Sequence, residues 1–321
     1  MLGIVSDTSL PVLARVTRSG IVESRHHGSL VVLDTAGEVH TARGDVTSPV
    51  YARSSLKPMQ AAAMLESGAD LSGELLALAA ASHAAEPFHV DGVRAILDRA
   101  GLPVDALRCP PGTPLDPVVA EAVLRAGDPT DPRLWMNCSG KHAGFLLACR
   151  TSNWATGSYL DVGHPLQARV AAEIAGAAGE PVAHLGIDGC GAPTAALGLT
   201  GLARAFGAFV RAEPSSARGR VAAAMRAHPE YVAGTRRPDT WLMRGVPGAL
   251  AKGGAEGVVA VALADGRALA VKIEDGSQRA VWPVAVAALR ALGVDAPVLD
   301  RLARAPMLGG GAEVGAVEAV V

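Results

Sequence analysis

Residues 258–273, VVAVALADGRALAVKI, are the stretch of sequence that decides the fold. Two apolar runs flank Asp265-Gly266, a pair typical of the tight turn of a β-hairpin. Apolar residues occupy both faces of each run, which predicts a central hairpin in a sheet covered by helices on both sides. A turn with two central residues would place Lys272 opposite Val259, with its side chain on the same face of the sheet as Val261 and Leu263.

Strand patterns also occur near the start of the chain, and helical patterns fill its middle. Residues 21–43 alternate apolar and polar residues around Gly28, which predicts two or three antiparallel strands. Helices are predicted over residues 58–67, 90–100, 117–125, 142–150, 165–175, 192–206, 216–227 and 280–292. The tail around residues 309–311 is predicted to be an irregular or edge element.

We therefore predict a mixed α/β (α+β) fold with an antiparallel sheet flanked by helices. Residues 1–55 and 250–321 would form the sheet domain from both ends of the chain. Residues 56–249 would form a mostly helical inserted region, and the two parts would act as one functional unit.

Composition restricts the class of partner. The chain has 321 residues, a formal charge of −2, and only 4 Trp, 3 Tyr and 4 Phe, so nothing indicates a nucleic-acid surface. A small molecule is the expected partner. No apolar run is long enough for a membrane span and residues 1–7 lack signal-peptide features, so we expect a cytoplasmic protein. Its four cysteines, Cys109, Cys138, Cys149 and Cys190, are then expected to be reduced.

Lysine is scarce in this chain, with 4 residues against 25 arginines. The four are Lys57, Lys141, Lys252 and Lys272, and none belongs to a solvated charge run. Lysine differs from arginine in that a buried ammonium can lose its proton and become a base, a nucleophile or a ligand. Each lysine is therefore a candidate for such a role, the alternative being chance retention in a composition rich in Ala and Arg.

Ser54 and Lys57 form a Ser-x-x-Lys pair followed by Pro58. This spacing puts hydroxyl and amine on one side of a helical turn, where a neutral lysine can take the serine proton. Pro58 places the pair at a helix N-terminus, where the dipole lowers a lysine pKa. Further along, Lys252 precedes Gly253-Gly254, which indicates either an active-site edge or a glycine-rich loop with a solvated lysine. Ser82 precedes His83 and is interpreted as a helix or turn cap.

The cysteines suggest a third candidate site. Cys138 lies in Asn137-Cys138-Ser139-Gly140-Lys141-His142, and Cys190 follows Asp188-Gly189. Two thiols with Lys141 or His142 would make a soft tetrahedral zinc site if these loops meet. Without a Cys-x-x-Cys pair, two buried structural thiols are the default interpretation. His26 and His27 point to opposite faces of a predicted strand, which argues against joint metal binding.

The order of a Ser-x-x-Lys pair and a later Lys-x-Gly is similar to serine β-lactamases and penicillin-binding proteins, although Ser152-Asn153 lacks the spacing of their intermediate Ser-x-Asn element. Taken together, the blocks resemble the bacterial L-asparaginase II family of the Rhizobium etli inducible type. The blocks are residues 53–60, 82–87, 137–142, 188–193, 251–257 and 272–276, so the resemblance covers nearly the whole chain.

This resemblance implies a β-lactamase-like or penicillin-binding-protein-like fold and a homodimer. It implies two Ser/Lys pairs, Ser54 with Lys57 and Ser82 with Lys252, and one zinc ion per chain held by Cys138, Lys141 and Cys190, with Asp188 close by. The zinc would be structural or would orient substrate. The implied reaction is hydrolysis of L-asparagine to L-aspartate and ammonia, with Ser54 as nucleophile.

Other functions remain open at this point. A glutaminase or a penicillin-recognising serine hydrolase would use the same scaffold, and a protein that binds a metabolite without catalysis would retain the pocket. The sequence does not show which groups hold the substrate's α-amino and α-carboxylate groups. Arg53 and His142 are candidates because they adjoin the other site residues.

Overall fold

A computed structural model describes residues 10–127 and 130–321, so the predictions made for residues 1–7 lie outside the described residues. The described residues form eleven strands and thirteen α-helices. The strands are β1 (Val12–Arg18), β2 (Ile21–Leu33), β3 (Val39–Arg43), β4 (Val50–Tyr51), β5 (His184–Ile187), β6 (Pro193–Leu197), β7 (Leu250–Gly254), β8 (Val258–Ala262), β9 (Ala268–Ile273), β10 (Arg304–Gly309) and β11 (Ala312–Ala319). The helices are α1 (Lys57–Glu66), α2 (Gly73–Ala79), α3 (Pro87–Ala100), α4 (Pro117–Ala126), α5 (Pro132–Trp135), α6 (Ser139–Thr151), α7 (Pro165–Ala178), α8 (Leu199–Arg211), α9 (Ala217–Ala227), α10 (Pro229–Val232), α11 (Pro238–Gly245), α12 (Gln278–Ala291) and α13 (Val298–Leu302).

Strands from both ends of the chain form one antiparallel sheet. Its order is β10-β11-β1-β2-β9-β8-β7, and β3 pairs with the far part of β2. A small second sheet has the order β4-β6-β5. The predicted mixed α/β class, with an antiparallel sheet flanked by helices, is confirmed. Among the described residues, no helix is long and apolar enough to cross a membrane.

The hairpin of β8 and β9 is central and covered on both faces, as predicted. All five residues of β8 are buried, although alternate side chains of a strand point to opposite faces. Helices α8 and α12 both contact β8 and β9. Burial of both faces explains why the two runs are almost continuously apolar.

The predicted register of this hairpin is wrong by one residue. Val258, not Val259, lies opposite Lys272. The loop has three residues rather than two: Gly266 N–H donates to Leu263 O, and Gly266 has φ +93°. A type I turn followed by a residue with positive φ adds one residue to the loop, and this bulge moves Lys272 to the opposite face of the sheet. There Nζ of Lys272 lies 2.5 Å from Ile273 O.

Several other elements differ from the sequence prediction. β2 runs straight through Gly28 as one strand of 13 residues. The predicted helix 192–206 is in fact β6 followed by α8, because pairing with β4 and β5 overrides the helix propensity of an alanine-rich segment. The glycine-rich segment at residues 251–254 lies within β7. The tail, predicted to be an irregular or edge element, forms the β10–β11 hairpin with β10 as an edge strand, so the edge alternative is confirmed.

Helix ends follow local chemistry. Pro58 lies in the first turn of α1, where the missing N–H costs no hydrogen bond. Asp116 Oδ1 accepts from Val118 N–H at the start of α4, and Ser216 Oγ accepts from Gly219 N–H at the start of α9. The division into a sheet domain and an inserted helical region stays a prediction, and β4 and β6 pair across its proposed boundary.

We expect Gly28→Ala to destabilise the protein by about 3 kcal/mol or more, because an added Cβ would overlap the backbone carbonyl oxygen of Lys272 on β9. Urea denaturation would measure the free energy of unfolding. Gly163→Ala is the matched control, since a Cβ there meets no atom within 4 Å. Equal stability of the two variants would contradict the tight pairing of β2 and β9.

Candidate active site

An open cleft of about 600 Å³ lies beside β7, at the edge of the large sheet. Ser54 reaches it from the turn before α1, and Ser82 from the segment that follows α2. Lys252 reaches it from β7. Further lining residues include Asn137, Arg237, Asp239, Glu256, Gln278, Arg279 and Trp282. The fold thus brings Ser54, Ser82 and Lys252 to one cavity, although they are far apart in sequence.

Ser82 lies between two buried lysines. Nζ of Lys57 is 3.0 Å from Ser82 Oγ, and Nζ of Lys252 is 2.9 Å from the same atom. Lys57 also donates to Ala81 O, and Lys252 donates to Gly253 O at 2.8 Å. Each lysine is 1% exposed. Lysine is rarely buried so completely, so these hydrogen bonds must offset part of the free-energy cost of burial.

Burial lowers the pKa of Lys252 to about 7. The charges of Lys57 and Arg237 act in the same direction, whereas the carboxylate of Asp239 acts against them. Asp239 is itself fixed, because its Oδ1 accepts from Gly253 N–H at 2.5 Å. An amine with this pKa is partly neutral at neutral pH and can accept a proton from the hydroxyl beside it.

The hydroxyl of Ser54 has different surroundings. Ser54 is half-buried and lines the cleft, and within residues 10–127 and 130–321 its Oγ makes no hydrogen bond. Lys57, its predicted partner, instead contacts Ser82. The structure therefore connects both lysines through Ser82 and leaves the hydroxyl of Ser54 open to the cleft.

Backbone strain is concentrated around these groups. Arg53, Ala85 and Glu256 are not glycines, yet have φ of 54°, 60° and 59°. Such conformations cost about 1–3 kcal/mol each and persist where the surrounding structure imposes them. Arg53 directly precedes Ser54, Ala85 follows the Ser82 segment, and Glu256 lines the cleft. Their positions indicate that the backbone is shaped for the site rather than for stability.

Arg53 and His142, the residues predicted to bind substrate, have other contacts. Arg53 is paired with Asp188, with Nε at 2.9 Å and Nη2 at 2.8 Å from its Oδ1. His142 is fully buried, and its Nδ1 lies 2.6 Å from the hydroxyl of Tyr159. Neither residue is among those that line the cleft.

The predicted metal ligands converge at the start of α6. Cys138 precedes this helix and Lys141 lies in its first turn, while Cys190 follows β5. Nζ of Lys141 lies 3.0 Å from Cys190 Sγ, and the thiol of Cys138 donates to Asn137 Oδ1 at 3.0 Å. All three residues are at most 3% exposed. Asn137 also lines the cleft, so the thiols lie next to it.

Negative charge in this cluster is concentrated on the sulfur of Cys190. The neighbouring thiol of Cys138 and the charge of Lys141 hold the pKa of Cys190 well below its usual range despite burial. The neighbouring Cys190 and burial raise the pKa of Cys138. Burial by itself would lower the pKa of Lys141, but the two cysteines raise it above the ordinary value. These directions favour a thiolate on Cys190 beside an ammonium on Lys141 when no metal is bound.

The donor atoms of this cluster fit a soft metal ion only if Lys141 is counted. Within the described part of the chain, no group of three or more His, Cys, Asp or Glu residues could hold a metal. Two thiols and an amine are nevertheless donors that zinc accepts. Nε2 of His142, on the same helix, is buried and has no hydrogen-bond partner among the described residues, so it is a polar atom left unsatisfied by that part of the chain.

Sequence reasoning missed Arg237 and Asp239, which lie at the start of α11, and Gln278 and Arg279, at the start of α12. Their spacing carries no motif, and charged residues at a helix start are normally solvated. Only the packing of α11 and α12 around the cleft identifies them.

Comparison with known proteins identifies a family for nearly all of the chain. The sequence profile described as L-asparaginase II matches residues 14–319. No curated protein sequence matches the chain. Among solved structures, a β-lactamase from Mycobacterium bovis is 16% identical, with 83% of this chain and 95% of that chain covered and a TM-score of 0.45. A protein named Mglu, in its native form, is 17% identical, with 83% and 63% covered and a TM-score of 0.38.

We expect one lysine of this protein to titrate near neutral pH. With four lysines in the chain, ¹³C-lysine labelling gives few side-chain signals, and the Cε shift of each reports its protonation. One signal should titrate with a midpoint of about 7 and should be absent from Lys252→Met. In Asp239→Asn the midpoint should fall, because the carboxylate that stabilises the ammonium is lost. Titration of every lysine near the ordinary value of about 10.4 would contradict the buried amine.

Proposed function

Because the chain belongs to the L-asparaginase II family, we propose that it is an amidohydrolase that hydrolyses the side-chain amide of L-asparagine to L-aspartate and ammonia. The observation that supports this proposal is the hydroxyl of Ser82, which contacts the amines of Lys57 and Lys252 in the cleft where Ser54 is open. Amide hydrolysis needs an attacking group, a base for its proton and an acid for the leaving nitrogen, and these four residues supply all three.

Ser54 is the proposed nucleophile. Its hydroxyl lines the cleft and has no hydrogen-bond partner in the described part of the chain, as required of a group that must reach the substrate, whereas the hydroxyl of Ser82 contacts both lysines. Lys57 follows Ser54 by three residues and would accept its proton during attack on the amide carbon. This step forms the bond between Ser54 Oγ and the carbon and leaves Lys57 as an ammonium.

Lys252 and Ser82 prepare Lys57 for that step. Neutral Lys252 takes the hydroxyl proton of Ser82 while Ser82 takes a proton from Lys57, so the positive charge moves from Lys57 to Lys252. Because the pKa of Lys252 is about 7, this exchange is available at neutral pH and is lost as the pH falls. The rate of acylation should therefore rise with pH through about 7.

Ser82 also connects Lys57 to the leaving group. As the carbon–nitrogen bond breaks, Ser82 gives its proton to the departing nitrogen and is reprotonated by Lys57, so ammonia leaves and Lys57 is neutral again. Water then attacks the ester on Ser54, with Lys57 accepting the water's proton and returning it to Ser54 Oγ. The products are aspartate and the free enzyme, and no group is consumed.

We further propose one zinc ion per chain at Cys138, Lys141 and Cys190, near Asp188. Asp188 is held by Arg53, so the ion pair would connect this site to the residue before the nucleophile. Zinc would supply a Lewis-acid centre that orients substrate or fixes the two loops. Binding requires Lys141 to lose its proton, which an arginine at this position does not do.

The activity is tested by ammonia release. The purified protein should release ammonia from L-asparagine faster than from L-glutamine and should not hydrolyse nitrocefin. A glutaminase would instead prefer L-glutamine, and a penicillin-recognising hydrolase would hydrolyse nitrocefin.

Ser54→Ala should lose about 10³-fold or more in kcat, because no acyl-enzyme forms. Mass spectrometry after a quenched turnover should find the adduct on Ser54. An adduct on Ser82, or full activity in Ser54→Ala, would refute the assignment of the nucleophile. Stabilisation by asparagine without ammonia would indicate a binding protein.

The zinc site is tested by elemental analysis of protein purified without added metal. About one zinc per chain is expected, and Cys190→Ala should lose it. Cys149→Ala is the matched control, because Cys149 is a buried cysteine of α6 whose pKa is raised by burial alone. Less than a trace of zinc in the wild type, or equal loss in both variants, would return the thiols to a structural role.

A further inference from the structure

Three cationic residues line the cleft, and the side chains of two of them already have hydrogen-bond partners. Lys252 contacts Ser82 and Gly253. Arg279 donates from Nε to Nε2 of His26 at 3.0 Å, while Nδ1 of that histidine lies 2.7 Å from Asp275. Arg237 is different: within residues 10–127 and 130–321 it makes no side-chain hydrogen bond and no ion pair.

The isolation of Arg237 is costly. Its Nε is shielded from solvent and has no acceptor among the residues that the structure describes. A buried donor without a partner costs about 1–3 kcal/mol, and more when it is charged. Arg237 is the N-cap residue of α11, and its own carbonyl accepts from Trp241 N–H at 3.1 Å, so the backbone that carries the side chain is fixed. The position thus holds a guanidinium in the cleft at a cost that a ligand would offset.

Arg237 is also close to the reacting groups. Its charge contributes to the low pKa of Lys252, which contacts Ser82. A planar guanidinium binds a carboxylate with two parallel hydrogen bonds, a geometry that lysine does not provide. Arg53, the other arginine considered from the sequence, already has a carboxylate partner in Asp188.

We propose that Arg237 binds the α-carboxylate of the substrate and so restricts the site to amino acids whose α-carboxyl group is free. This inference rests on the proposed amidohydrolase function, which supplies the amino-acid substrate. The carboxylate would satisfy the guanidinium donors and would fix the position of the substrate's amide carbon relative to the hydroxyl of Ser54. Binding of this kind acts on ground and transition states alike, so its loss raises KM more than it lowers kcat.

The test compares two substrates that differ only in this group. β-Alanine amide is asparagine without its α-carboxylate. Arg237→Gln should lower kcat/KM for L-asparagine about 100-fold, mainly through KM, and should change kcat/KM for β-alanine amide less than about threefold. Arg237→Lys should retain part of the activity on asparagine, because lysine keeps the positive charge but cannot form two parallel hydrogen bonds to the carboxylate. An equal loss on both substrates would show that Arg237 acts through Lys252 or through folding, and would overturn the proposal.

Arg236→Gln is the matched control. Arg236 is the exposed neighbour of Arg237, pairs with Asp116 at 2.7 Å and does not line the cleft, so both substrates should be unaffected. If the wild type hydrolyses neither compound, the proposed function fails, and binding then decides the role of Arg237. L-Aspartate, which keeps the α-carboxylate, should raise the melting temperature of the wild type and of Arg236→Gln but not that of Arg237→Gln. The same stabilisation of all three proteins would overturn the inference.

Discussion

Contact of two buried lysines with a single serine hydroxyl is the constraint on which the site depends. Lys57 is carried by α1, Lys252 by the edge strand β7, and Ser82 by the segment after α2. Their nitrogen and oxygen atoms meet within 3.0 Å only if the helical region is seated against the edge of the sheet. Two amines this close and this buried repel each other when both are charged, so their shared environment favours the loss of one proton. The same packing that buries them therefore creates the base.

The backbone around this contact is held in conformations that local preferences do not favour. Arg53 adopts a positive φ immediately before Ser54, and its side chain is held by Asp188, which belongs to the loop of Cys190. The position of the Ser54 hydroxyl is thus linked to the thiol cluster by one ion pair. Lys57 is close enough to Cys138 for its charge to act on the pKa of that thiol. The lysine pair at Ser82 and the thiol cluster are therefore coupled electrostatically beneath the cleft.

Sequence patterns predict this fold where periodicity and tertiary structure agree. The apolar hairpin at residues 258–273, the helix after Pro58 and the sheet built from both ends are of this kind. The register of the hairpin failed because Gly266 forms a bulge that a two-residue turn does not contain. The helix predicted over residues 193–197 was wrong because an alanine-rich segment prefers a helix, and here strand pairing overrides that preference. At the site, the lysines could be identified because lysine is scarce in this chain. The local sequence around Ser82 indicated only a cap, and the resemblance to the family supplied its catalytic role. No local signal identified Arg237, because a lone arginine before Pro238 has the appearance of a solvated helix start.

Lysine and arginine are not interchangeable at and beneath the cleft, because lysine can lose its proton and arginine cannot. Lys57, Lys141 and Lys252 are each 1% exposed, a burial that a permanently charged guanidinium tolerates only with an acceptor for its donors. At Lys252 the amine has a pKa of about 7, so it changes charge in the range where the proposed reaction needs a base. Arg237 has the opposite property, since it stays charged beside that amine and lowers its pKa. A substrate carboxylate on Arg237 would cancel part of this field and raise the pKa of Lys252. In molecules that bind substrate while Lys252 is neutral, this higher pKa favours transfer of the Lys57 proton through Ser82 to Lys252 and leaves Lys57 free to accept the proton of Ser54. Recognition of the substrate and activation of the nucleophile would then be coupled through the charge on one arginine.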